Sequence, residues 1–179
     1  MIKDIKKVLL TEEQILNRVR EIGKNISKDY KGKDLLIVGI LKGSVLFASD
    51  LLKNIDIPCE IDFMAVSSYG SSTETSGVVR ILKDLDHSIE GKDIIIVEDI
   101  IDSGITLDYL LKYLKARKAN SIEIVTLLTK PARRKVDIEV KYCGFEVPDE
   151  FLVGYGLDYA EKYRNLPYVG ILKEEVYKK

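Results

Sequence analysis

Two adjacent carboxylates, Glu98 and Asp99, follow a run of β-branched residues, Ile94-Ile95-Ile96-Val97. After Ile100-Ile101 comes the polar turn Asp102-Ser103-Gly104-Ile105-Thr106-Leu107. The apolar run has the composition of a buried strand, and the leucines beyond Thr106 repeat with helical spacing. The turn between them offers the hydroxyls of Ser103 and Thr106 and a backbone without a side chain at Gly104. It does so at a helix start, where N–H groups and the helix dipole favour an anion. Asp102 or Ser103 would serve equally as an ordinary helix cap. The neighbouring carboxylates weigh against a mere cap: they would repel a bare phosphate unless a divalent cation or sugar hydroxyls lay between. The pattern points to a sugar phosphate bound together with a metal.

Such a turn works only if a rigid sheet holds it. Leu35 to Leu41 is a nearly continuous apolar run, as expected of a strand buried on both faces. Ser44 to Lys53 reads as the helix behind it. Ile61 to Val66 and Val78 to Leu82 read as further strands, Ile94 to Val97 as a central strand and Ser121 to Leu128 as another. The helix Ile105 to Ala116 has an apolar stripe of Leu107, Leu110, Leu111 and Leu114. An earlier helix opens at Thr11-Glu12-Glu13-Gln14 with a capping-box pattern and repeats Ile15, Val19, Ile22 and Ile26 at helical spacing until Gly32. Alternating strands and helices imply right-handed crossovers and a parallel sheet, an α/β fold. Beyond Lys130 the expected strands are short: Glu139 to Cys143, Phe151 to Val153 and Val169 to Leu172. They are expected to form a small hood over the carboxyl ends of the parallel strands, where ligands bind in open α/β sheets. The polar, glycine-bounded stretch 67–77 reads as a surface hairpin loop or a lid over a reacting centre.

Composition sets outer limits. The 179 residues suit a single domain, 1–179, with a full core, and at 46% hydrophobic and 32% charged the chain should fold and stay soluble. Twenty-eight basic residues nearly cancel 29 acidic ones, so nucleic acid or an anionic membrane is not an expected partner. No apolar stretch is long enough to span a bilayer, and Met1 to Lys7 lacks a secretory apolar region. A cytoplasmic location is expected, with Cys59 and Cys143, which lack metal-ligand spacing, as reduced thiols. His87, in a polar connector, and Arg133, Arg134 and Lys135 read as solvated. Neither a G-x-G-x-x-G nor a G-x-x-x-x-G-K-[ST] motif is present, which argues against a dinucleotide-binding oxidoreductase and a P-loop nucleotidase.

The segment Val97-Glu98-Asp99-Ile100-Ile101-Asp102-Ser103-Gly104-Ile105-Thr106 resembles the phosphoribosyl-pyrophosphate signature of type I phosphoribosyltransferases. Three further segments narrow the resemblance to the bacterial hypoxanthine-guanine branch. They are Leu41-Lys42-Gly43-Ser44, Leu127-Leu128-Thr129-Lys130 and Phe151-Leu152-Val153-Gly154-Tyr155-Gly156-Leu157-Asp158-Tyr159. All four lie in the family's order, and the resemblance covers nearly the whole chain.

The resemblance implies a mainly parallel twisted sheet flanked by helices, with a hood built from N- and C-terminal segments. It implies transfer of phosphoribose from phosphoribosyl pyrophosphate to N9 of hypoxanthine or guanine, giving IMP or GMP and pyrophosphate in purine salvage. Asp102, Ser103, Gly104, Ile105 and Thr106 would hold the 5′-phosphate. Glu98 and Asp99 would orient the ribose, directly or through Mg²⁺, with Asp158 as a second metal-contacting carboxylate near the pyrophosphate side that also belongs to the purine-binding set. Asp102 would face N7 of the base, either accepting its proton or orienting it electrostatically; the sequence leaves both open. Lys130 would donate to O6. Adenine presents an amino group there, and an unpaired buried polar group costs about 1–3 kcal/mol, so adenine would be rejected. Phe151 would stack on the base, and Leu152 would read its edge through the backbone. Leu41, Lys42, Gly43 and Arg164 would contact pyrophosphate, with a cis peptide at Leu41–Lys42; Ser44 stands where the family often has a second glycine. Ser68 and Tyr69 would belong to a mobile lid. Relatives of this kind form homodimers or homotetramers. A xanthine-accepting transferase, or a regulatory nucleotide- or RNA-binding protein on the same fold, is the alternative.

Overall fold

The computed structural model describes residues 1–68 and 79–178. Its main sheet is built from β2 (Leu35–Leu41), β3 (Cys59–Ser68), β4 (Val79–Lys83), β5 (Asp93–Ile101), β6 (Ser121–Thr129) and β7 (Tyr142–Glu146). The spatial order is β4-β3-β2-β5-β6-β7, parallel throughout except for the antiparallel edge strand β4. A second sheet joins β1 (Ile5–Leu10), β9 (Val169–Leu172) and β8 (Leu152–Val153), all antiparallel. This is the expected α/β architecture, and β1 is the N-terminal contribution to the hood.

Period-two alternation explains how the main sheet is covered. Along β2 and β5, Leu35, Ile37, Ile95 and Val97 face one side, while Leu36, Val38, Ile40, Ile94 and Ile96 face the other. The first side packs on α1 (Glu12–Asp29) and α2 (Val45–Lys53) through Ile15, Val19, Ile22, Ile26, Phe47 and Leu51. The second packs on α3 (Ile105–Lys115) through Leu107, Leu110 and Leu114. Thr11 caps α1 with the expected capping box: its hydroxyl accepts from Gln14 N at 3.2 Å, and Gln14 Oε1 accepts from Thr11 N at 2.9 Å. The chain closes with the single-turn helix α4 (Glu174–Tyr177).

Two expectations are corrected. The strand expected at Glu139 to Cys143 as part of the hood is instead β7, shifted toward the C-terminus and paired with β6 in the main sheet. β6 leaves one edge open, and β7 satisfies it. Arg18 of α1 fastens β7 there by donating to Gly144 O at 3.1 Å and Cys143 O at 2.8 Å. The central strand does not stop at Val97 but runs to Ile101, because β6 continues beside it and pairs Glu98 with Thr126, Ile100 with Leu128 and Ile101 with Thr129. The acidic pair therefore lies within the ladder. Among the described residues no helix is long and apolar enough to cross a membrane.

Because α3 aims the polar turn at its own N-terminus, its anchoring should be measurable. Leu110, fully buried, is expected to cost about 2–5 kcal/mol when changed to Ala. Urea unfolding checks this; a loss below about 1 kcal/mol would mean that the α3 interface does not hold the turn in place.

Candidate active site

The pleat of β5 separates the two carboxylates. Glu98 continues the series Ile94, Ile96 toward the α3 face, whereas Asp99 continues Ile95, Val97 toward the α1–α2 face. Two cavities open at these positions. The first, about 200 Å³, is lined by Ile40, Glu98, Ile100, Ile101, Asp102, Ser103, Gly104, Thr106 and Leu107. The second, about 280 Å³, is lined by Asp99, Ile100, Asp102, Lys130, Arg133, Phe151, Leu152, Leu157 and Asp158. Ile100 and Asp102 belong to both.

The first cavity is the polar turn seen from within. Gly104 has φ +80°, the left-handed region that favours glycine, and a Cβ there would lie 2.8 Å from Ile138 Cδ1. The turn is thus pinned from behind by Ile138 while Gly104 still lines the cavity. Ser103 Oγ accepts from Ile105 N at 3.4 Å, and Ser103 O accepts from Lys135 N at 3.0 Å.

The second cavity brings together residues far apart in the chain. Lys130, only 5% exposed, donates to Glu150 O at 2.8 Å and lies 3.8 Å from both Asp102 Oδ1 and Asp149 Oδ1. Phe151 stacks on Tyr177 at 4.7 Å between centroids and meets Tyr159 edge-on at 5.6 Å. Leu152 is buried where β8 pairs with β9.

Beside the cavities the backbone makes close approaches. The peptide Leu41–Lys42 is cis. A Cβ on Gly43 would fall 1.7 Å from Asp99 Oδ2, and a Cβ on Gly156 would fall 2.0 Å from Gly43 O. No side chain fits at either position. Ser44, fully buried, uses its hydroxyl to donate to Ile40 O at 2.6 Å, so the serine is accommodated without disturbing the turn. Asp158 forms an ion pair with Arg164 Nη2 at 3.0 Å and accepts from Glu161 N at 2.9 Å. Arg164 also donates to Gly156 O at 2.7 Å. Glu161 pairs with Lys42 at 2.8 Å and lies 3.4 Å from Arg164. Lys42 and Arg164 therefore meet at one carboxylate beside the second cavity without lining it.

Charge is expensive at the acidic pair. Burial, then the neighbouring Asp99 charge, raises the Glu98 carboxyl well above its ordinary range. Burial raises Asp99 to about 6, opposed by its hydrogen bond from Ile100 N and by the Arg164 charge, with Asp158 adding repulsion. A divalent cation or sugar hydroxyls would relieve both. The donor set fits magnesium, which takes oxygen ligands and fills most positions with water and substrate oxygens. Among the described residues no cluster of three or more His, Cys, Asp or Glu side chains forms a complete protein cage.

A family model described as phosphoribosyl transferase domain matches residues 7–160. The chain belongs to this family. It is 60% identical over 99% of its length to the hypoxanthine-guanine phosphoribosyltransferase of Staphylococcus aureus strain N315, and covers 99% of that protein. It is 56% identical to the bifunctional protein TilS/HprT of Listeria monocytogenes strain F2365, of which it spans 27%. A crystal structure of a Staphylococcus aureus hypoxanthine phosphoribosyltransferase superposes with a TM-score of 0.97 at 60% identity, covering 100% of this chain and 97% of that one.

The fold gathers Glu98, Asp99, Asp102, Ser103, Gly104, Thr106, Lys130, Phe151, Leu152 and Asp158 around the two cavities and places Gly43 against Asp99, while Ile105 begins α3 without lining either cavity. Ser68 ends β3, paired with Val79, while Tyr69 and the rest of the expected lid lie outside the described residues. The reading of Arg133 and Arg134 as a merely solvated face is corrected, whereas Lys135 is exposed as expected. Arg133 lines the second cavity, Arg134 donates to Thr129 Oγ1 at 2.7 Å, and the Lys135 amide holds the polar turn. Arg133 is a charged cavity residue that the sequence reading missed, as is its ion-pair partner Asp149, which lies beside the cavity without lining it. A signal existed: Arg133 lies three residues beyond Lys130, and in the 3₁₀ turn Pro131–Arg133 that spacing puts both on one side.

A pH test follows from Asp99. Without divalent cation, the folded chain holds the Asp99 proton to about pH 6, the unfolded chain only to its ordinary value of 3.8. Stability should therefore fall as pH rises from about 4 through 6. Relative to Asp99→Asn, the parent should lose on the order of 1–2 kcal/mol across that window. Urea unfolding of both proteins at matched pH measures the difference; a constant difference would contradict the raised value.

Proposed function

We propose that this protein transfers phosphoribose from phosphoribosyl pyrophosphate to N9 of hypoxanthine or guanine, yielding IMP or GMP and pyrophosphate, with the whole chain acting as one transferase unit. The observation that carries the reading is the shared wall: Asp102 and Ile100 line both cavities. A sugar phosphate in one and a purine in the other would meet at the anomeric carbon between them.

The residues divide the work. The amides of Gly104, Ile105 and Thr106, with the Ser103 and Thr106 hydroxyls, bind the 5′-phosphate at the start of α3. Glu98 and Asp99 accept from the ribose hydroxyls. With Asp158 they would hold Mg²⁺, which supplies charge neutralisation for the pyrophosphate. Phe151 covers the base plane, its far side braced by Tyr177. Lys130 donates to O6, and the Leu152 backbone reads the base edge. Asp102 faces N7, where its carboxylate accepts the proton released as N9 attacks, or stabilises it in place. Lys42, Gly43 and Arg164 receive the pyrophosphate that leaves with inversion. For that, Glu161 must release its two cations. Holding both reactants against one wall supplies positioning, and the fixed donors supply electrostatic stabilisation. Family membership and the relatives' names support the reaction, and the buried Lys130 supports the preference for a 6-oxopurine.

Initial rates with hypoxanthine, guanine, xanthine and adenine, with and without magnesium, test the reading. Hypoxanthine and guanine should turn over with magnesium, and adenine at least about 100-fold less efficiently. Asp102→Asn should lower kcat by about 10²-fold or more while changing IMP affinity far less. Lys130→Ala should narrow the gap between hypoxanthine and adenine. Equal use of adenine by the parent enzyme would contradict the proposal.

A further inference from the structure

Asp102, Lys130, Asp149 and Arg133 form a closed ring of alternating charge at the second cavity. Lys130 Nζ lies 3.8 Å from Asp102 Oδ1 and 3.8 Å from Asp149 Oδ1; Arg133 lies 3.5 Å from Asp102 Oδ2 through Nη1 and 3.2 Å from Asp149 Oδ1 through Nε. The two cations thus hold opposite oxygens of Asp102, and Asp149 ties them together. Asp102 Oδ1 is buried and accepts no hydrogen bond from the protein, although the carboxylate as a whole is partly exposed. A buried acceptor without a donor is costly, so its orientation needs an external hold. The Lys130 ammonium is committed to Glu150 O, whereas the Arg133 guanidinium is exposed and planar and reaches the outer oxygen.

We infer that Arg133, anchored by Asp149, is a positioning residue that holds Asp102 by Oδ2 and so fixes the orientation of the carboxylate at the second cavity. This rests on the proposed role of Asp102. Arg133 touches neither the reacting carbon nor the leaving group; its effect passes through Asp102. The guanidinium matters as a directed cation, so lysine at this position should restore part of the effect and alanine none. Asp149→Asn, which loosens the anchor of Arg133, should act in the same direction and more weakly.

A double-mutant cycle separates this from a structural role. In the parent enzyme Arg133→Ala should lower kcat with hypoxanthine about 10-fold, with KM for phosphoribosyl pyrophosphate and Kd for IMP within about 2-fold. Arg133→Lys should recover at least a third of the rate. On the Asp102→Asn background, Arg133→Ala should change kcat less than 2-fold, because the group it orients is gone. A 10-fold loss repeated on that background would overturn the inference alone. So would parent-like kcat in Arg133→Ala. An Asp102→Asn enzyme as fast as the parent would overturn the reading of Asp102 together with the inference. Thermal unfolding of Arg133→Ala within a few degrees of the parent is expected, since the side chain is exposed.

Discussion

A strand packed on both faces ends in three carboxylates, and the surrounding structure is organised by what those charges require. Ile94 to Val97 are fully buried, yet Glu98, Asp99 and Asp102 follow within five residues on the same strand and turn. Burial strips water from Glu98 and Asp99, so their charge must be matched by protein or ligand, whereas Asp102 is partly exposed. The protein matches them unequally. Asp102 receives two cations, Lys130 and Arg133. Asp99 receives one backbone amide and the Arg164 charge, and burial still holds both Asp99 and Glu98 above the ordinary carboxylate range. The acidic pair is thereby left in need of a positively charged or hydrogen-bonding visitor, and the visitor's place is fixed by the pleat.

That constraint reaches into the loops. Asp99 Oδ2 stands so near the Gly43 backbone that a methyl group would collide with it, and Gly156 packs as tightly on the Gly43 carbonyl. Three segments distant in sequence are thus locked at backbone level beside one carboxylate. The hood adds the base side: Phe151, Leu152, Leu157 and Asp158 come from its β8 segment and the turn that follows. The hood supplies surface for a planar ring, the sheet supplies charge and the helix start supplies donors for a phosphate. This division follows from what each element offers: strands point side chains alternately to two faces, helix starts offer free amides, and short strands with aromatics offer apolar faces.

Legibility in the sequence followed the strength of local signals. The bounds of β2 and β9, the capping box at Thr11 and the leucine stripe of α3 could be read because each is a periodic pattern decided locally. The end of β5 could not, since a polar residue within a strand is tolerated when its neighbour supplies the ladder, and β6 lies twenty residues on. The same distance hid β7, whose place depends on the open edge of β6 and on Arg18 from the first helix. At the site, the resemblance pointed to Glu98, Asp99, Asp102 and Lys130. Arg133 looked like one of three solvated basic residues because its partners, Asp102 and Asp149, lie at sequence separations of 31 and 16, and no single-sequence pattern links them.

The central claim is that one wall, Asp102 with its neighbours, serves two cavities at once. A crystal structure of the protein with IMP tests it most directly. The phosphate oxygens should lie about 3 Å from the amides of Gly104, Ile105 and Thr106, with the purine against Phe151 and its N7 within hydrogen-bond reach of Asp102. A nucleotide bound with its phosphate elsewhere, or with the base turned so that N7 faces away from Asp102, would contradict the account.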